Sequence, residues 1–115
     1  MSTLTMFSWG YAGWGNATQE LKAAIDRVER SRGFKPPLFV DVRISRSARA
    51  EGFKGTTFEK LVGHDRYLWM DDLGNRAIKN KAPGIDINNP RAADVLLTLA
   101  IENARRPRRV IFFCS

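Results

Sequence analysis

The stretch Leu38-Phe39-Val40-Asp41-Val42-Arg43 decides the fold of this chain. It is a continuous apolar run that one carboxylate, Asp41, interrupts before the run ends at Arg43. A strand with one face in water alternates apolar and polar residues, whereas a strand covered on both faces reads as a continuous apolar run. The stretch therefore predicts a strand that lies between two layers of other elements.

Upstream of this run, the sequence predicts one strand and one helix. Leu4–Trp9 is short and rich in residues that favour strands, and a glycine-rich segment ends it. Asn16 with Gln19 then forms a capping box, after which apolar residues recur at helical spacing. Gly33 supplies the left-handed residue that commonly follows a helix. The pattern indicates a helix from about Ala17 to Arg32.

Downstream of the run, capping and periodicity predict further elements in the same alternating order. In chain order, these are a short helix capped by Thr56 and Glu59, a strand at Tyr67–Met70, an aperiodic loop over 71–88, a largely buried helix that starts at Asn89-Pro90, and a strand at Arg109–Cys114. Alternation of strands and helices implies a parallel sheet. We expect one α/β domain over 1–115: a small parallel, or mixed, four-stranded sheet with helices on both faces, three-layered and Rossmann-like.

The composition excludes several classes of protein. An apolar fraction of 43% and a charged fraction of 27% argue against a disordered chain, and no apolar run is long enough to span a membrane. The first residues lack the charge pattern of a signal peptide. One cysteine, Cys114, fits a reducing compartment, so we expect a cytoplasmic protein. With one histidine besides, the sequence indicates neither a metal nor another cofactor.

The charge balance favours an anionic partner. Lysine and arginine outnumber the acidic residues by 19 to 12, a net charge of +7, and 13 of the basic residues are arginine. The planar guanidinium suits phosphate oxygens, which points to a phosphate-bearing small molecule or a nucleic acid. Two further basic groups, within 27–35 and 105–109, lie at the far ends of predicted helices, where cations also favour the helix dipole, so we expect them to be mainly structural.

The carboxyl ends of parallel strands form the usual ligand crevice of such sheets, and the residues that follow the predicted strands should therefore converge. An arginine and serine loop follows the second strand, and it could clamp phosphate or be a solvated charged loop. The glycine loop after the first strand could hold an anion or be a tight turn. The candidate ligand-binding residues are Gly10, Tyr11, Arg43, Arg46, Arg49 and Gly74.

Two residues at this edge are candidate catalytic groups, Asp41 and Cys114. A carboxylate within an apolar strand needs a partner, and Arg43 is the nearest one in sequence. The pair could close the end of the sheet, or Asp41 could hold Arg43 aimed into the crevice. A thiolate at Cys114 could be a nucleophile, and the alternative is an inert core cysteine.

Four motifs in order resemble the domain-of-unknown-function 488 family and cover nearly the whole chain. They are Gly10-Tyr11-Ala12-Gly13, Val40-Asp41-Val42-Arg43 with the loop to Gly52-Phe53, Tyr67-Leu68-Trp69-Met70 leading to Leu73-Gly74, and Ile111-Phe112-Phe113-Cys114. The chain departs from the family after Arg43, where it lacks the proline, and after Cys114, where the family continues to a Cys-His-Arg motif. The resemblance implies a fold and a site location rather than a reaction.

Three functions fit these features. The first is a small enzyme, or a relic of one, with an anion-binding crevice at the strand ends. The second is a basic module that binds nucleic acid without catalysis, and the third is an interaction domain with no ligand. Because the family's second half is missing, the last strand is also predicted to be an edge of the sheet or to be covered by a second copy, in a homodimer.

Overall fold

The computed structural model describes residues 6–10, 17–46, 51–81 and 83–114. Within these ranges, four strands and four helices follow one another, joined by short 3₁₀ turns. Their bounds are β1 Met6–Gly10, α1 Thr18–Ser31, β2 Lys35–Asp41, α2 Thr57–Val62, β3 Tyr67–Trp69, α3 Arg76–Lys79, α4 Ala92–Ala104 and β4 Arg108–Cys114. No helix of the described residues is long and apolar enough to cross a membrane.

The four strands form one sheet in the order β1-β4-β2-β3, and every pairing is parallel. The predicted small parallel α/β fold is confirmed, and the mixed alternative is not observed among these strands. The prediction that the last strand is an edge is wrong, since β4 pairs with β1 on one side and β2 on the other. Helix α1 connects β1 to β2 and leaves room for one strand between them. Strand β4 occupies that position, so both of its edges are paired within this chain.

The sheet has a separate apolar cluster on each face, because successive strand residues point to opposite sides. One cluster is aromatic: Phe53 and Phe58 pack with Phe39 and Phe113 at ring-centroid separations of 4.9 to 5.9 Å. Helices α1 and α2 pack on this cluster, whereas α4 packs on the other one. The continuous apolar run of β2 is explained, since Leu38 and Val40 face α4 while Phe39 and Asp41 face the aromatic side.

The capping box predicted at Thr56 does not form, and the one predicted at Asn16 lies outside the described residues. Helix α1 has Ala17 as its N-cap residue, and α2 has Thr56, and neither makes a side-chain capping hydrogen bond. The predicted end of α1 is confirmed, because Gly33 follows it with a φ of +85°. The helices are held chiefly by the apolar face that each packs on the sheet.

Helix α4 is less buried than its composition predicts. Ala92, Leu96 and Ala100 are buried against the sheet, but the side chains of Val95 and Ile101 are 56% and 44% exposed. Only one face of the helix meets the strands, so apolar residues on the other face remain in contact with solvent. The predicted loop over 71–88 is also partly ordered, with the short helix α3 and a bridge between Asn75 and Ile87.

Candidate functional site

The strand order places a topological switch point between β2 and β3. The connection after β2 leads to α2 on the aromatic face, whereas the connection after β3 leads to α4 on the opposite face. Adjacent strands whose connections diverge in this way leave a crevice at their carboxyl ends, which is where open α/β sheets bind ligands. The predicted residues that follow β2 lie at this point.

Asp41 ends β2 as a fully buried carboxylate with a complete set of donors. Arg43 donates to it three times, from the main-chain nitrogen at 3.1 Å, Nε at 2.8 Å and Nη2 at 2.6 Å. The hydroxyl of Tyr67 donates to Oδ2 at 2.6 Å. These bonds replace the water that the charge loses on burial, so the carboxylate is stable inside the sheet edge.

Arg43 is directed into the protein rather than into the crevice. Its side chain is 5% exposed, its Nη1 donates to the carbonyl of Phe53 at 2.7 Å, and its guanidinium lies 5.8 Å from the ring centroid of Phe113. Of the two interpretations of the Asp41–Arg43 pair, this geometry favours the one in which the pair closes the end of the sheet. Arg43 also ties the loop after β2 to the turn at Glu51–Phe53.

Arg46 is the predicted basic residue that reaches the surface of the switch point. Its guanidinium carbon lies 4.3 Å from the ring centroid of Trp69, and its Nη1 donates to Oε1 of Glu59 at 3.1 Å. The Trp69 ring is fixed in turn, since its Nε1 donates to the carbonyl of Arg43 at 2.8 Å. The contacts with Trp69 and Glu59 hold Arg46 in one orientation at the rim of the crevice, where its side chain is 24% exposed.

Glu59 connects Arg46 to His64. His64 Nδ1 lies 2.6 Å from Oε2 of Glu59, and the His64 side chain is 81% exposed. The hydrogen bond from His64, with a further one from Arg46, holds the pKa of Glu59 below its ordinary value, although burial opposes the shift. Sequence reasoning did not assign Glu59 or Trp69 to the site, because their partners come from other segments of the chain.

The remaining predicted residues have different surroundings. Gly10 pairs in register with Cys114, which brings the ends of β1 and β4 side by side. Tyr11 and Arg49 lie outside the described residues. A Cβ atom on Gly74 would collide with the main-chain nitrogen of Ile44, so this glycine is required for close packing of two loops. The space beside its α-carbon is occupied by the protein's own backbone.

A second charged surface lies at the opposite end of the sheet, where α1 and α4 end and β2 and β4 begin. We call it the basic end; its exposed side chains are Arg30, Arg32, Lys35, Arg105 and Arg106. Lys35 is paired in register with Arg108, which is half-buried. These two residues lie between the cations at the end of α1 and those at the end of α4. The surface therefore continues from one face of the sheet to the other.

Two carboxylates near the basic end are already neutralised. Arg109 holds Glu29 through Nε at 2.8 Å and Nη2 at 2.5 Å, and Arg66 holds Asp26 at 2.8 Å. Burial, followed by repulsion from Arg106, lowers the pKa of Arg108, and the carboxylate of Asp65 offsets only part of this. Arg106 and Arg108 therefore repel each other, and Asp65 compensates only part of this repulsion.

The described residues offer no metal centre. No three His, Cys, Asp or Glu side chains within 6–10, 17–46, 51–81 and 83–114 are grouped so that they could hold an ion. The chemistry of both surfaces is that of guanidinium, ammonium and carboxylate groups.

Comparisons with known proteins return no match: no family model, curated protein or solved structure is similar to this chain. The resemblance to the domain-of-unknown-function 488 family therefore stays a prediction that rests on the sequence motifs. Function has to be inferred from the two charged surfaces.

Proposed function

We propose that this protein binds nucleic acid through its basic end, without reading the base sequence. The single observation that carries the proposal is the convergence on one surface of exposed cations from the ends of α1 and α4 and the start of β2, beside the half-buried Arg108 that begins β4. Two described carboxylates nearby, Glu29 and Asp26, are already paired with Arg109 and Arg66. Phosphate backbones recognise such surfaces by charge alone.

The helix dipole accounts for only part of this surface. Cations near a helix C-terminus gain about 0.3–1 kcal/mol from the dipole, which favours residues such as Arg30 and Arg105. It gives no reason for Lys35 or Arg108, which begin strands, nor for the repulsion between Arg106 and Arg108. A polyanion that spans the end of the sheet would relieve that repulsion, because each guanidinium would gain a phosphate.

The test is fluorescence anisotropy with a labelled 20-base-pair duplex and its single strand, measured from 50 to 200 mM salt. We expect the double variant Arg105→Ser, Arg106→Ser to bind more weakly at every sequence tested. The slope of log K against log salt should become shallower by about 0.9 for each duplex phosphate that the variant no longer neutralises.

The matched control removes two exposed cations elsewhere, with Arg91→Ser and Lys81→Asn. Arg91 precedes α4, at the end opposite to Arg105, and asparagine tolerates the positive φ of 54° at Lys81. Both double variants lower the net charge by two, so a general charge effect would weaken them equally. Equal loss in the two variants would exclude a localised site at the basic end.

A second candidate is a phosphate-bearing small molecule at the switch point, as the sequence predicts. It is favoured by Arg46, which is presented beside the 37% exposed Trp69. Gly10, Tyr11, Arg49 and Cys114 would complete this crevice, and a reaction there would use Cys114. Loss of mononucleotide binding in Arg46→Ala, with duplex binding retained, would support this candidate; unchanged mononucleotide binding would remove it.

A cytoplasmic location is part of the proposal. It is supported by the single cysteine, which fits a reducing compartment, and by the absence of a membrane-spanning helix among the described residues. Both candidate ligands are available there.

A further inference from the structure

A groove lies beside α1 on the aromatic face of the sheet, at the side of β1. Its floor is formed by Phe7 of β1 and Ile111 of β4, which are neighbours in register. Its wall is the face of α1 that carries Ala24, Ile25 and Val28. The volume is about 360 Å³, which is at the lower end of the range for small-molecule sites.

The path of the chain explains why this groove is open. Helix α1 connects β1 to β2 and passes over the position of β4, and it packs mainly against β2. The described residues therefore leave the β1 side of this face incompletely covered. Val28 points to this side with 46% of its surface exposed, although valine favours burial. The groove is a consequence of the strand order rather than of a missing side chain.

The polar groups of the groove are gathered at the end where the strands begin. Arg109 lies between two rings, 4.5 Å from the centroid of Phe7 and 4.2 Å from that of Phe34, and Glu29 holds it through two hydrogen bonds. This pair is neutral as a unit. Arg32 at the same end is exposed, and no ion pair is found for it among the described residues.

We propose that this groove binds a small amphipathic carboxylate, with the apolar body along α1 and the carboxylate at Arg32. The lining has the character of a ligand site, mostly apolar with a few placed polar groups. Its excess charge is one positive group, which selects against neutral and cationic molecules of the same shape. The proposal does not rest on nucleic-acid binding, although Arg32 belongs both to the groove and to the basic end.

The test is isothermal titration calorimetry with octanoate, octanol and octylamine, which share a chain and differ in charge. We expect octanoate to bind most tightly. Arg32→Ala should weaken octanoate by about threefold to fivefold, as expected for one exposed ion pair, and leave octanol unchanged. Arg30→Ala is the matched control, because Arg30 is exposed on the same helix and does not line the groove.

A second variant tests the location of the site. Ala24→Phe places a ring in the groove and should abolish binding of octanoate, with far-ultraviolet circular dichroism reporting that α1 is retained. Equal affinity for octanoate and octanol would overturn the carboxylate assignment. Unchanged octanoate binding in Ala24→Phe would show that the ligand does not bind in the groove. A dimer that Val28→Glu dissociates would also overturn the proposal, because a second copy of the chain would then cover the groove.

Discussion

The hydroxyl of Tyr67 donates a hydrogen bond to Oδ2 of Asp41 across the junction of β2 and β3, with 2.6 Å between the oxygens. Because Arg43 donates to the same carboxylate, the carboxyl end of β2 and the start of β3 are joined by one buried polar cluster. Burial, reinforced by the hydrogen bond and the charge of Asp41, raises the pKa of Tyr67 well above its ordinary value. The cluster gives the switch point a rigid base.

Tyr67→Phe should lower the free energy of unfolding by about 1–2 kcal/mol, since a buried carboxylate loses one neutral donor while the Arg43 bonds remain. Urea denaturation at pH 7 measures this change. Leu68→Ala is the control for a change in the same strand, because Leu68 is 36% exposed and makes no part of the cluster. A variant as stable as the wild type would show that Tyr67 only fills space.

The same residue should give the protein a pH dependence at high pH. The pKa of Tyr67 is raised in the folded state above its ordinary value of 10.0, so the stabilisation is complete below pH 10. It is lost progressively as the pH rises from 10 towards the folded pKa of Tyr67, because in that interval only the unfolded chain releases the proton. We expect the wild type to lose stability above pH 10 and Tyr67→Phe to lose less, as measured by urea denaturation over pH 8–11.

Asp41→Asn should lower the free energy of unfolding much more than replacement of both members of the Asp41–Arg43 ion pair. It leaves the charge of Arg43 buried with no carboxylate, and breaking a buried pair costs about 3–5 kcal/mol. Arg43→Met in the Asp41→Asn background removes that charge and should recover part of the loss. A double-mutant cycle by urea denaturation checks this, and additive losses would contradict the coupling.

Much of the fold could be predicted because its signals are local. The apolar run around Val40 and the helical spacing before Gly33 each lie within one segment, and both gave the right element. The position of β4 could not be predicted, because strand order depends on which strands pair. Sequence reasoning suggested an edge strand, whereas Val110 and Phe112 are covered by neighbouring strands and by α4.

Part of the candidate site could be predicted because its residues are close together in the sequence. Asp41 and Arg43 are two residues apart, so their pairing follows from one stretch of chain. The role of Arg46 depends on Glu59 and Trp69, which come from α2 and β3 and carry no joint signal in the sequence. The basic groups at the two helix ends were expected to be structural, since their convergence appears only in the assembled sheet.

Gly74→Ala should destabilise the loop after β3. The added Cβ would collide with the main-chain nitrogen of Ile44 and lie 2.5 Å from its α-carbon, and backbone atoms cannot yield as a side chain can. Overpacking of this kind costs about 1–3 kcal/mol. Thermal unfolding measures it, with Gly33→Ala as a contrast that meets no atoms within 4 Å and is strained only by its φ. Equal stability of Gly74→Ala and wild type would show that the two loops can separate freely.

His64→Ala should raise the pKa of Glu59 towards its ordinary value of 4.5, since the hydrogen bond from His64 is the largest cause of the depressed pKa. The stabilisation from Glu59 is present above pH 4.5 and is lost as the pH falls through its folded value, so the variant should lose this contribution at a higher pH. Carboxyl carbon shifts of Glu59, followed by nuclear magnetic resonance from pH 2 to 7, measure the change. Lys60→Ala is the control, because it removes a neighbouring exposed cation that does not bond to Glu59. A pKa that moves equally in both variants would mean that Glu59 senses general charge; a shift confined to His64→Ala would mean that the ring orients Glu59 towards Arg46.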